Sequence, residues 1–149
     1  MVHQGGELTM SGLLSAFDPG WVAILYGISW VMGVFYGIRA VFMTKSFLDQ
    51  YGISQSAQLM ARFAGAQVLA FVTITAILPF TGFEGAWPIF AYQLLASLIL
   101  VGTGLYTQTQ SEASRMEGVS RSPEGWVVPI ILVIMWAVMM FMMRDTLYA

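Results

Sequence analysis

The sequence predicts an all-α integral membrane protein: four transmembrane helices in a compact bundle, both termini on the non-cytoplasmic side, with a short interfacial helix between the first two spans. Three observations predict it. Of 149 residues, 58% are hydrophobic and 9% are charged, whereas a soluble domain carries about 25% charged residues. Four apolar runs, about residues 21–43, 59–79, 88–106 and 126–143, approach the ~20 residues a helix needs to cross a ~30 Å hydrocarbon core. A soluble core of that extent would leave almost no surface to solvate. The chain reads as one transmembrane domain, 1–149, preceded by an N-terminal surface segment, 1–17.

The N-terminal segment MVHQGGELTMSG lacks a basic n-region and an apolar h-region, so no cleavable signal peptide is expected. The following LTMSGLLSAF has the pattern of a small amphipathic surface helix. The first span then begins at Asp18-Pro19-Gly20-Trp21. A carboxylate N-cap, a proline at the first helical position and an interfacial indole make a helix start. The same chemistry recurs at Glu84-Gly85-Ala86-Trp87 and, after Ser122, at Pro123-Glu124-Gly125-Trp126. A carboxylate near a helix start meets the positive end of the helix dipole, worth ~0.3–1 kcal/mol at exposed sites. Trp21, Trp87 and Trp126 are expected at the membrane–water boundary, in contact with lipid.

Within the first span Ser29, Gly33 and Gly37 lie four apart, and Gly33–Gly37 is a GxxxG. Small residues at this spacing let two helices approach closely. The first connection, about residues 44–58, contains FLDQYGISQ, too apolar for a free loop. It reads as an interfacial helix or turn ended by Gly52. The second span opens with SQSAQLMARF, from which Arg62 can snorkel to headgroups. It offers Ala57, Ala61 and Gly65 at the small-residue spacing. The two faces pack spans one and two together, or seat one of them on another chain. The third span follows the short TGFEG connection. The third connection, TQTQSEASRMEGVSRSPEG, is polar, and either disordered or docked to a partner. In the fourth span Pro129 either kinks the helix near 125–126 or is tolerated as an early-turn proline.

Polar residues inside the spans are the candidate contact sites. They are Ser29, Gln67, Thr73, Thr75, Gln93, Ser97 and Thr103, and no ionisable residue lies near the centre of a span. That argues against a proton relay or a coupled pump. Gln67 and Gln93 differ in depth by roughly 10 Å at ~1.5 Å rise per residue. Each is therefore expected to bond a nearby backbone, a lipid or a quinone headgroup rather than the other. Met135, Met139 and Met143 form MxxxMxxxM, soft thioethers suited to Cu(I). Met140 and Met142 interrupt the stripe, and flexible packing explains it more simply. No catalytic set, paired carboxylates, GxGxxG or P-loop is present. Cysteine is absent, and the single histidine, His3, stands in the N-terminal segment. The sequence predicts neither an enzyme nor a cofactor or metal of its own. A net charge of −2 without a basic patch excludes nucleic acid as a partner.

Five of the six Lys and Arg residues, Arg39, Lys45, Arg62, Arg115 and Arg121, fall in or beside the first and third connections. The positive-inside rule makes that face cytoplasmic. Arg144 alone lies on the other side.

Residues 47–80, FLDQYGISQSAQLMARFAGAQVLAFVTITAILPF, resemble the small four-span membrane proteins grouped as DoxX-like. In these a span is followed by an aromatic, Leu-containing loop ending in Tyr-Gly, here Tyr51-Gly52. The next span opens with Arg-x-x-Gly, here Arg62 to Gly65. The resemblance covers roughly a quarter of the chain by motif and all of it by span count. It implies a compact four-helix membrane bundle and says little about activity. Taken together, the residues predict a non-catalytic accessory or structural subunit of a larger membrane complex. Its expected partners are other membrane protein subunits and lipids, with quinone or pigment contact. The expected location is a bacterial inner membrane or an energy-transducing membrane derived from one. The alternative is a small transporter or channel, with the span polar residues lining a path.

Overall fold

The computed structural model describes residues 16–112 and 123–149, and no strand occurs among them. The elements are α1 (Val22–Phe42), α2 (Thr44–Gln50), a 3-10 turn (Gln55–Ala57), α3 (Gln58–Thr81), α4 (Trp87–Thr109), α5 (Glu124–Met142) and α6 (Arg144–Leu147). Among the described residues four helices, α1, α3 with its preceding 3-10 turn, α4 and α5, are long and apolar enough to cross a membrane. The amphipathic N-terminal pattern, up to residue 15, and the middle of the third connection, 113–122, lie outside the described residues.

The helix starts differ from the capping expected of the sequence. α1 begins at Val22 with Trp21 at the cap position, and no side chain caps it. Asp18 stands three residues before that cap, in the turn that precedes the helix. α4 begins at Trp87 behind Ala86, again without a side-chain cap, and Glu84 is exposed in the turn. Pro123 holds the cap position of α5, and Ser122 lies outside the described residues. Asp18 and Glu84 therefore sit in the connecting turns and not at the cap positions. α2 ends as a Schellman turn, with Gly52 at φ 64° and the Ile53 N–H bonded to Leu48 O at 2.9 Å.

Consecutive long helices pair as two hairpins, α1 with α3 and α4 with α5, and α1 also meets α5. One end of the molecule carries α2; the opposite end carries the turn from α3 to α4. In the first hairpin a Cβ built on Gly65 would stand 2.7 Å from Ala40 Cβ and 3.2 Å from Gly37 O. One built on Gly37 would meet the Leu69 side chain at 2.7 Å, and one on Gly33 would meet Val72 at 2.6 Å. Backbones this close require the absence of side chains on both sides of the crossing. In the second hairpin Gly104 does the same. Its Cβ would lie 2.5 Å from Gly125 O and 3.1 Å from Trp126 Cβ.

Two prolines lie inside helices, Pro79 in α3 and Pro129 in α5. A proline has no N–H, so it leaves the carbonyl four residues earlier without its helical donor. For Pro79 that carbonyl belongs to Thr75, and the Tyr26 hydroxyl of α1 donates to it at 2.5 Å. For Pro129 it belongs to Gly125, the carbonyl against which Gly104 packs. Trp30 adds a second bond from α1 to α3, with Nε1 donating to Val72 O at 2.8 Å.

The buried core gathers at the turn end. Phe17, Val22, Tyr26, Leu78, Phe83, Phe90, Trp136, Met139, Met143 and Leu147 form one cluster. Phe83 sits between Gly82 at φ 98° and Gly85 at φ 68°, a backbone that turns its ring inward at little steric cost. The ring centroid lies 4.8 Å from Phe17, 5.6 Å from Tyr26 and 6.0 Å from Phe90. Phe90 in turn meets Trp136 edge-on at 5.0 Å. The methionine stripe of α5, Met135, Met139 and Met143, is buried, so its spacing is accounted for by packing.

Replacing Tyr26 by Phe removes the donor to Thr75 O while keeping the ring. The expected loss is about 1–2 kcal/mol, between a typical interhelical bond and a buried acceptor left unmade. In a Pro79→Ala background, where the alanine N–H restores the helical donor, the same change should cost less than half as much. Unfolding in mixed detergent across the double-mutant cycle measures this coupling; additive losses would contradict the assignment.

Candidate functional site

Polar chemistry concentrates at the α2 end. Glu124 opens α5, and its carboxylate accepts from two tyrosines. Tyr36 of α1 donates to Oε1, and Tyr51, just past α2, donates to Oε2 at 2.9 Å. Arg39, one turn beyond Tyr36 on α1, donates to Gln50. Its guanidinium lies 5.3 Å from the Phe35 ring and 5.5 Å from Phe47, within cation–π range. Tyr51 packs edge-on against Phe47 at 5.2 Å. The result is a clasp that joins α1, α2 and α5 at one carboxylate. Burial pushes the Tyr51 hydroxyl up to about 12, helped by its bond to Glu124 and by that carboxylate's charge, while Arg39 pulls the other way. The clasp can fix helix positions and hold protons. No group of three His, Cys, Asp or Glu that could hold a metal occurs among the described residues.

The residues singled out in the sequence are dispersed. Gly33, Gly37 and Gly65 meet at the α1–α3 crossing. Ser29 is buried and bonds to Tyr26 O of its own helix at 2.9 Å. Ala57 lies in the 3-10 turn ahead of α3, and Ala61 stands one turn before Gly65; both are half-buried. Gln93 reaches Ser97 of the same helix at 3.5 Å. Gln67 is exposed and lines a groove of about 310 Å³ between α3 and α4, with Phe71, Ile74, Pro88 and Tyr92. The Phe71 and Tyr92 rings lie 5.8 Å apart across that groove. Arg62 is at the α2 end, with Nε donating to Thr44 Oγ1 at 3.2 Å.

The three tryptophans at the starts of apolar runs divide between the ends. Trp21 and Trp87 are exposed at the turn end, where Trp87 stacks on Tyr148 at 6.0 Å. Trp126 is half-buried at the α2 end, where Nε1 donates to Gln108 Oε1 at 2.9 Å. That bond ties α5 to the last turn of α4, whose helix continues through polar residues to Thr109.

Sequence reasoning did not find Tyr36, Tyr51 or Glu124 as a unit, nor Gly104 as a crossing point. Pro79 did carry a readable signal. A proline in a span implies an orphaned carbonyl four residues earlier and a donor on a neighbouring helix.

Glu124→Gln removes the carboxylate charge that opposes tyrosinate formation while keeping an acceptor. The Tyr51 pKa should therefore fall from about 12 toward the ordinary value of about 10. It stays above that value because burial remains. Tyrosine ¹³Cζ shifts near pH 11, assigned with Tyr51→Phe, should show Tyr51 mainly neutral in the parent and more ionised in the variant. An unchanged titration would remove Glu124 from the clasp. No protein-family model matches the sequence, and no curated protein and no solved structure is significantly similar to it.

Proposed function

We propose that the chain is a non-catalytic accessory or structural subunit of a larger membrane protein complex. In this reading it crosses the membrane four times, with the α2 end cytoplasmic and both termini on the opposite side. The observation that carries it is where the intramembrane polar groups go. A transport path needs such groups to converge on a cavity. Here Ser29, Thr73, Thr75 and Thr103 bond to carbonyls of their own helices, at 2.7 to 3.2 Å. Gln93 turns to Ser97, and Gln67 faces the side groove. These groups are spent one by one within or beside single helices, as in a scaffold.

The outer surface supports the same reading. Between 11% and 22% of each span's most apolar window is buried within the chain, the least in α4. Tyr92, Leu95, Leu98 and Ile99 of that helix are exposed. Lipid covers such a face adequately, and so does a neighbouring subunit. The α3–α4 groove, with one carboxamide and one phenol on apolar walls, suits a quinone or a lipid. An energy-transducing complex, respiratory or photosynthetic, is the assembly class to test first.

Native membranes solubilised in a mild detergent, separated on a native gel and read by mass spectrometry test the proposal. The chain should migrate within a large assembly, together with the subunits that hold it. Migration near the size of a monomer or small oligomer removes the subunit reading and returns the weight to transport. For orientation, alkaline phosphatase fused after Ala149 should be active and a green fluorescent protein fusion dark. The reverse pattern inverts the topology.

A further inference from the structure

The elbow between α1, α2 and the start of α3 holds an open pocket of about 480 Å³ whose lining includes Lys45, Arg62, Thr44 and Asp49. Ser46 and Gln58 complete its polar lining, and Phe42 and Met43, both exposed, supply an apolar part. Arg62 rises from the second turn of α3. Its helical neighbours Leu59, Met60 and Phe63 are all exposed, so the charge stands on a flank suited to hydrocarbon. Thr44 fixes this side chain. Its hydroxyl is held by Ala40 O at 2.7 Å and accepts from Arg62 Nε at 3.2 Å.

Holding Nε leaves the two terminal nitrogens of the guanidinium as the group to be met. Among the described residues no carboxylate lies within 4 Å of Arg62 or Lys45, whereas at the other end Arg144 pairs with Asp145 at 3.6 Å. Asp49, the one carboxylate of the pocket, accepts instead from Gln55 Nε2 at 2.5 Å. A cation at the edge of hydrocarbon needs an anion or water. A guanidinium fork with an ammonium beside it fits a phosphate group. Lys45 and Arg62 against Asp49 leave one net positive charge in the pocket, matching the single negative charge of a phosphodiester.

We propose that this pocket holds the phosphodiester headgroup of one membrane glycerophospholipid, bound by Arg62 and Lys45, with the first acyl methylenes along Phe42 and Met43. The apolar wall favours a lipid over free phosphate, which has nothing to place there. The proposal needs the α2 end to lie at a membrane surface. It does not depend on membership of a complex.

The full chain, reconstituted in vesicles of phosphatidylglycerol and phosphatidylcholine and released into native mass spectrometry, should retain one phospholipid. Lys45→Gln should lower occupancy about fivefold, the effect of one basic residue beside an anionic surface. Arg62→Gln should lower it at least as much. Arg144→Gln, the same charge change at the turn end, should leave it unchanged. Circular dichroism and a melting curve report whether each variant folds. If Arg62→Gln does not, the exposed Lys45 keeps the test alive. Equal retention by the parent, Lys45→Gln and any folded Arg62→Gln overturns the site. Displacement of the lipid by excess inorganic phosphate overturns its assignment to a lipid.

Discussion

A carbonyl left without its helical donor needs another partner, and this constraint fixes how the first two long helices pair. α3 and α5 each carry a proline that removes one helical donor. In the first hairpin the vacant acceptor is met from the paired helix, Thr75 O by the Tyr26 hydroxyl; in the second, Gly104 packs close against Gly125 at the exposed start of α5. The register of the first hairpin follows. Once Tyr26 is tied to Thr75, Trp30 one turn later falls opposite Val72 O. Gly33 and Gly37 then face Val72, Leu69 and Gly65 in turn. The crossing is close because glycine permits it, and its register is held because polar bonds choose among the close packings available.

The two ends solve different problems. At the turn end aromatic rings fill the space, packed largely by dispersion and edge-to-face contacts. At the α2 end the hairpins are joined through Glu124 and its tyrosines. Charge is tolerated at that end because it is near water in the proposed topology, while Arg39 covers its guanidinium with Phe35 and Phe47. Between the ends the spans contribute little burial. An apolar exterior is consistent with a bilayer, where removing side chains from lipid gains little and close backbone packing counts for more.

Much of the fold was legible in the residues. Apolar run lengths gave the four long helices, since hydrocarbon thickness converts directly into residue count. The apolar loop FLDQYGISQ announced α2, and Gly52 announced its end. The spacing of Gly33, Gly37 and Gly65 was visible because a helix face repeats every three to four residues. The clasp was not visible. Glu124 lies 88 residues from Tyr36 and 73 from Tyr51, and no local period connects them. The helix caps misled for a related reason. Asp18 and Glu84 carry the composition of an N-cap, but a cap is defined by backbone angles and hydrogen bonds, and Trp21 and Ala86 occupy those positions without using a side chain.

Phe83 comes from the link between the hairpins, yet its ring is in contact with Tyr26 of the first and Phe90 of the second. The residues around it are likewise drawn from both, with Val22 and Leu78 on one side and Trp136 and Met139 on the other. Neither hairpin contains this core on its own. Each hairpin has its own glycine crossing between neighbours in sequence, but burial is complete only where the two pairs dock. Thermodynamic cooperativity therefore belongs to the whole. A lesion in α5 near Trp136 is expected to loosen α1 as readily as α4, because Tyr26 of the one and Phe90 of the other both pack on that ring.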